Sequence, residues 1–133
     1  MLAQADAEAH FAAIPDRVER GYEWLGKIDP ERHVQILPGE IKMWSNRWCV
    51  LGQYAHAFRF AGPNAPYQLL EAAGVDPGDQ VFLQENGFAC PIGWEHHADF
   101  LDLQSYYELL REAWVNILTH EPTRVLDTTP AHR

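Results

Sequence analysis

Leu103, Tyr107, Leu110, Trp114, Ile117 and Leu118 follow one another mostly at spacings of three and four residues. That period places all six on one face of an α-helix and does not fit a strand. A face this wide and apolar must be buried against other elements, so the chain needs partners for it. Ser105 and Glu108 form an S-x-x-E capping box at its start, and Asp102 could open the helix a turn earlier. The pattern predicts an end by Glu121-Pro122, with residues 122–133 as a polar tail.

Three more stretches repeat the signal. Val18, Tyr22, Leu25 and Ile28 form a stripe opened by Asp16 and Glu19 as a capping box and closed at Asp29-Pro30. Trp48, Leu51, Ala55 and Phe58 form another, predicted to begin at Ser45 as cap, with Gly52 in its middle. Tyr67 to Ala73 reads as a short helix that Gly74 ends in the left-handed conformation. Residues 3–13 are alanine-rich and form a weak helix or arm, and His33 to Leu37 reads as a short extended piece. Residues 80–92 fit either a short helix ended at Gly87 or a hairpin turning at Asn86-Gly87. The helix is favoured, because no other strand offers a sheet to join. The expected fold is all-α: four to five short helices, with at most one short hairpin, packed around segments 45–58 and 103–119. The organisation expected is a single domain over 1–133, with a core at 14–121.

Composition narrows the class. Of 133 residues, 47% are hydrophobic, enough for a core. No apolar run approaches the roughly 20 residues of a membrane span, and the first residues lack a secretory pattern. The two cysteines, Cys49 and Cys90, are too few for a disulfide scaffold, so free buried thiols in a cytoplasmic protein are expected. The net charge of −9 argues against nucleic acid as partner. That charge is uneven. Residues 1–66 carry seven basic against eight acidic side chains, and residues 67–133 carry three against eleven. Between Glu71 and Glu121 the only basic residue is Arg111.

Chemistry-bearing motifs are sparse. No phosphate-binding loop, dinucleotide fingerprint, nucleophile elbow, H-E-x-x-H or C-x-x-C occurs. Ser45 and Ser105 are the only serines, and both read as caps. The one cluster with metal-ligand chemistry is Glu95-His96-His97-x-Asp99, where His96 and Asp99 would share a helical face. Adjacent histidines point apart, however, and a polar loop leading into the last helix explains the segment equally. His56 lies beside a core stripe and reads as a core histidine rather than a base. Trp24, Trp48 and Trp114 fall in or beside stripes, whereas Trp44 and Trp94 fall in loops. Loop tryptophans are either lids on a small core or anchors of an interface.

Arg17 to Leu25, Cys49 to Gln53 (C-V-L-G-Q), the Gly87-Phe88 pair and Tyr107 to Trp114 (Y-x-x-L-x-x-A-W) together resemble a family of small proteins from actinobacteria and their phages. The resemblance covers roughly residues 16–118 and implies an actinobacterial or phage origin, without assigning any catalytic residue. With it, the chain is expected to be a non-enzymatic accessory factor without a cofactor. It would bind a host or virion protein with a basic surface through an acidic C-terminal face of Trp94, Glu95, Asp99, Asp102, Glu108 and Glu112. A homo-oligomer or a virion assembly is compatible with that role; a membrane or nucleic-acid partner is not. The location expected for a phage-encoded chain is the host cytoplasm. Two alternatives stand beside it. One is a small-ligand binder whose aromatic loops, 41–44 and 91–94, form a pocket. The other is a metal-dependent enzyme at His96, His97 and Asp99.

Overall fold

A computed structural model of the protein describes residues 4–31, 36–45, 47–57, 60, 62–97 and 100–128. All regular elements among them are helical, and no strand occurs there. The helices are α1 (Gln4–Ala12), α2 (Ile14–Ile28), α3 (Val50–Ala57), α4 (Ala65–Ala72), α5 (Gln80–Glu85), α6 (Trp94–His97) and α7 (Phe100–Thr128), with a 3₁₀ turn at Pro38–Glu40. The helix alternative is therefore the right one at residues 80–85. Asp79 caps α5 by accepting the Phe82 amide at 3.0 Å, and Gly87 turns the chain at φ +73°.

Several boundaries differ from the sequence reading, each for a local reason. α2 begins two residues before Asp16, because Ala13 alone separates it from α1 and its carbonyl already accepts the Arg17 amide at 3.0 Å. Pro15 sits in the first turn, where a missing amide costs nothing, and Asp16 complements the helix dipole there instead of capping. Ser45 does cap, but it caps a turn. Its Oγ accepts the Arg47 and Trp48 amides at 3.2 and 3.1 Å, and α3 starts only at Val50. Ser105 is interior to α7, which opens at Phe100 and runs past Pro122 to Thr128. A proline inside a helix removes one hydrogen bond and crowds the carbonyl four residues before it, which can kink the helix rather than end it. Phe58, His33 to Gln35 and residues 129–133 lie outside the described residues. Ile36 and Leu37 have no regular structure. α4 ends as expected: Gly74 has φ +83°, and the Val75 amide reaches back to the Leu70 carbonyl at 2.8 Å.

α2 packs along α7, α3 against α4, and α5 against α2, while α1 lies across α2 and α7. The core runs through Val18, Tyr22 and Leu25 of α2, Val50, Leu51 and Tyr54 of α3, and Tyr106, Leu110, Trp114 and Leu118 of α7. Ile28, the last residue of the α2 stripe, is exposed. Phe88 stacks on Trp114 with centroids 5.6 Å apart, and the Trp114 indole donates to the Gly87 carbonyl at 2.7 Å. Gln53 is buried and closes the 36–37 segment on α3. Its Oε1 accepts the Leu37 amide at 2.6 Å and its Nε2 donates to the Leu37 carbonyl at 3.2 Å.

The least expected core residue is Arg17, 5% exposed. It donates to the Tyr106 hydroxyl (2.9 Å), His10 Nδ1 (3.1 Å) and Glu85 Oε2 (3.3 Å), joining α1, α2, α5 and α7. A guanidinium has no lone pair to offer, so His10 Nδ1 must be unprotonated to receive it. Burial, followed by the Arg17 charge, holds the His10 pKa below its ordinary value, with Asp6 and Glu85 opposing. As pH falls, the unfolded chain therefore takes up this proton before the folded one does. Stability present above about pH 6.5 is lost progressively below it. Thermal unfolding between pH 7.5 and 5.5 should show this loss, and His10→Gln should reduce it. An unchanged slope in the variant would remove His10 as the cause.

Candidate functional site

The loop after the 3₁₀ turn is fixed at both ends. Arg111 Nε of α7 donates to the Ile41 carbonyl at 3.0 Å, and the Lys42 amide donates to the Trp48 carbonyl at 3.0 Å. Ile41 and Met43 point into the core, which turns the next side chain, Trp44, outward; it is 66% exposed. The facing loop follows α5. The Phe88 amide returns to the Leu83 carbonyl at 2.8 Å, and the Ile92 amide is held by Gln84 Oε1 at 2.8 Å. Gly93, at φ +86°, then reverses the chain into α6. Cys90 and Pro91 are buried, and Ile92 is left exposed.

These two loops border one cleft of about 450 Å³. Its floor is apolar, formed by Leu51 and Cys49, Leu70, Leu83, Phe88 and Cys90. Trp44, Tyr67 and Ile92, three of the exposed large hydrophobic side chains, stand on its border with Glu95 and Tyr107. The volume falls within the range of small-molecule sites. Both thiols are free. Burial raises the pKa of Cys49 and of Cys90, in the latter against a hydrogen bond with Tyr107. Burial also raises Tyr107, helped by Cys90. All three groups are thereby held protonated at neutral pH, so the cleft presents neither a thiolate nor a phenolate.

The residues expected at a partner contact separate. Trp94 is a correction: it is 2% exposed and lies inside the protein. Its ring meets His10, Phe11 and Tyr106 edge-on at 5.4–5.7 Å, so it pins α1 to α7 and offers no surface anchor. Pro91 and Gly93 produce this inward aim by turning the chain just before it. Glu95 is exposed on the border of the cleft, 3.9 Å from the Cys90 thiol. Glu108 and Glu112 are exposed on the outer side of α7, and Asp102 is half-buried. Asp99 and the side chains of His96 and His97 lie outside the described residues, so the candidate metal ligands are not placed. No group of three or more histidine, cysteine or acidic side chains able to hold a metal occurs among the described residues. No described helix is long and apolar enough to cross a membrane. His56 is half-buried, with Nδ1 2.8 Å from the Gly52 carbonyl.

Sequence reasoning singled out both loops but missed that Cys49, Cys90 and Tyr107 meet between them. Nothing in the spacing of Cys49 and Cys90 signals this, because the approach is made by tertiary packing alone. Searches against family models, curated proteins and solved structures find no match for this chain.

Proposed function

We propose that the protein is a non-enzymatic binding module that takes a small, largely apolar ligand in the cleft between residues 43–44 and 91–93. One observation carries the reading: Trp44, Tyr67 and Ile92 remain exposed around one recess with an apolar floor instead of joining the core. Exposed apolar side chains gathered at one concave site mark binding surfaces, whereas scattered ones carry no such meaning. The protonated state of the lining thiols and phenol supports binding over nucleophilic chemistry.

Nile red, an uncharged dye that brightens in apolar surroundings, tests the proposal. The folded protein should enhance its fluorescence saturably. Trp44→Asp with Ile92→Asp should weaken binding at least tenfold without lowering the unfolding temperature by more than a few degrees. Equal binding by the double variant would exclude the cleft.

A second reading is favoured by one face of α7. Leu101 and Leu109 are exposed there at helical spacing beside Glu108 and Glu112. An apolar pair edged by carboxylates suits a protein partner with a basic rim. This is the part of the expected acidic contact that Trp94 does not enter.

A further inference from the structure

The electrostatics of the cleft restrict its ligand beyond "apolar", if the binding reading above is right. Among the described residues that line it, Glu95 is the one charged side chain, and none is basic. Trp44, Tyr67 and Tyr107 present aromatic rings around the same space, with Phe88 at its floor. Lys42, beside Met43, is exposed and does not line the cleft, and two other basic groups are engaged elsewhere. Arg111 is turned to the Ile41 carbonyl, and the Arg47 guanidinium lies 4.1 Å over the Trp48 ring. Much of the wall comes from the half of the chain with three basic against eleven acidic residues. An anion entering here would meet a carboxylate and aromatic side chains, with no basic side chain among the described lining residues to offset them. A cation with apolar substituents would meet the opposite: aromatic side chains, whose π-systems attract cations, a carboxylate at the border, and a floor that covers its alkyl groups.

We infer that the cleft is a site for a small organic ammonium compound, with the cationic head between Glu95 and the aromatic border and the apolar body on the floor. The volume of about 450 Å³ holds a whole ligand of this kind, well beyond a single lysine side chain. This favours a free small molecule over a residue of a partner protein.

Three probes of nearly one shape separate charge from fit: choline, 3,3-dimethylbutan-1-ol and 3,3-dimethylbutyrate. Titrations followed by ¹H–¹⁵N spectra of the intact chain, at low salt, report affinity and location together. Choline should shift the amides of Trp44, Cys90, Ile92 and Glu95. It should bind at least about fivefold more tightly than the alcohol, as expected for cation–π contacts at partly exposed rings. The anion should bind most weakly. Glu95→Gln should bring choline and the alcohol within about twofold of each other while leaving the alcohol's own affinity unchanged. A merely structural Glu95 would instead weaken both probes together and leave their ratio unmoved. Equal affinities for choline and the alcohol in the unaltered protein would overturn the inference and leave the cleft reading standing. If no probe shifted the cleft amides and Nile red binding were also insensitive to the double variant, both would fall. A trimethyllysine peptide binding tenfold more tightly than choline would overturn the assignment to a free small molecule.

Discussion

Replacing Gly21 by alanine should lower the stability of the protein by about 3 kcal/mol, the upper end of overpacking effects, because the obstruction is backbone. A methyl group at Gly21 falls on the Asn86 carbonyl and lies 3.0 Å from Trp114 Cζ2. Neither can yield easily. Asn86 is held by its amide to the Phe82 carbonyl at 3.1 Å, and Trp114 by its indole to Gly87 at 2.7 Å. The same junction is tight from the other side. A Cβ on Gly87 would lie 3.0 Å from Val18 Cα, at a backbone φ of +73° that side chains rarely adopt. α2, the turn after α5 and α7 therefore meet with no room for one methyl group. At the size of this chain the loss corresponds to roughly 10 °C in melting temperature. Urea and thermal unfolding would both register it. A loss below about 1 kcal/mol would show that α2 does not approach the Asn86-Gly87 turn this closely.

The second large effect is expected at Arg17. Arg17→Ala should cost about 2–3 kcal/mol, and Arg17→Lys should recover less than half of it. The guanidinium reaches three acceptors on three other helices, a fork that an ammonium does not reproduce. Without it the buried Tyr106 hydroxyl loses its donor, and the side-chain stem leaves a void between α2 and α7. Glu85 is the milder site. It is 41% exposed and has a second contact with Arg20 at 3.1 Å, so water and Arg20 solvate it when Arg17 is gone. The Gln84 side-chain amide, then Arg17 and Arg20, hold the Glu85 pKa below the usual carboxylate range. Exposure screens that interaction, so Glu85→Gln should cost under about 1 kcal/mol. An Arg17→Ala protein as stable as the unaltered one would mean that this network adds nothing to the packing around it.

Periodicity made α2 and α7 legible, and the glycine turn signals at Gly74 and Gly87 marked α4 and α5, whereas the four-residue α6 carries neither signal. Leu110, Trp114 and Leu118 lie on the buried side of α7 as their spacing requires. Tyr107 packs against the core as its place in the stripe predicts, but it is half-buried and borders the cleft, whereas its neighbour Tyr106, outside the predicted stripe, is fully buried. Tyr106 stands four residues before Leu110 and continues the most buried line of α7 through Trp114 and Leu118. Arg17 left a signal that went unread. It stands three residues after Ile14 and four before Gly21, on the face that α2 buries. The two loop tryptophans could not be told apart by type or neighbours. Ile41 and Met43 occupy the core and leave Trp44 outside, whereas Pro91 and Gly93 send Trp94 in. The loops 41–44 and 91–94 were recognised as candidate pocket walls, but only the packing of α3, α4, α5 and α7 beneath them makes a recess.

The central claim is that this helical scaffold exists to present that recess. The most direct measurement is a binding screen of small aromatic and aliphatic fragments, mapped on the amide spectrum of the intact protein. The account predicts that the compounds that bind shift one contiguous set: Met43, Trp44, Cys90, Ile92, Gly93 and Tyr107. Fragments that gather instead on the Leu101, Glu108, Leu109 and Glu112 face of α7, or that bind nowhere, would contradict it.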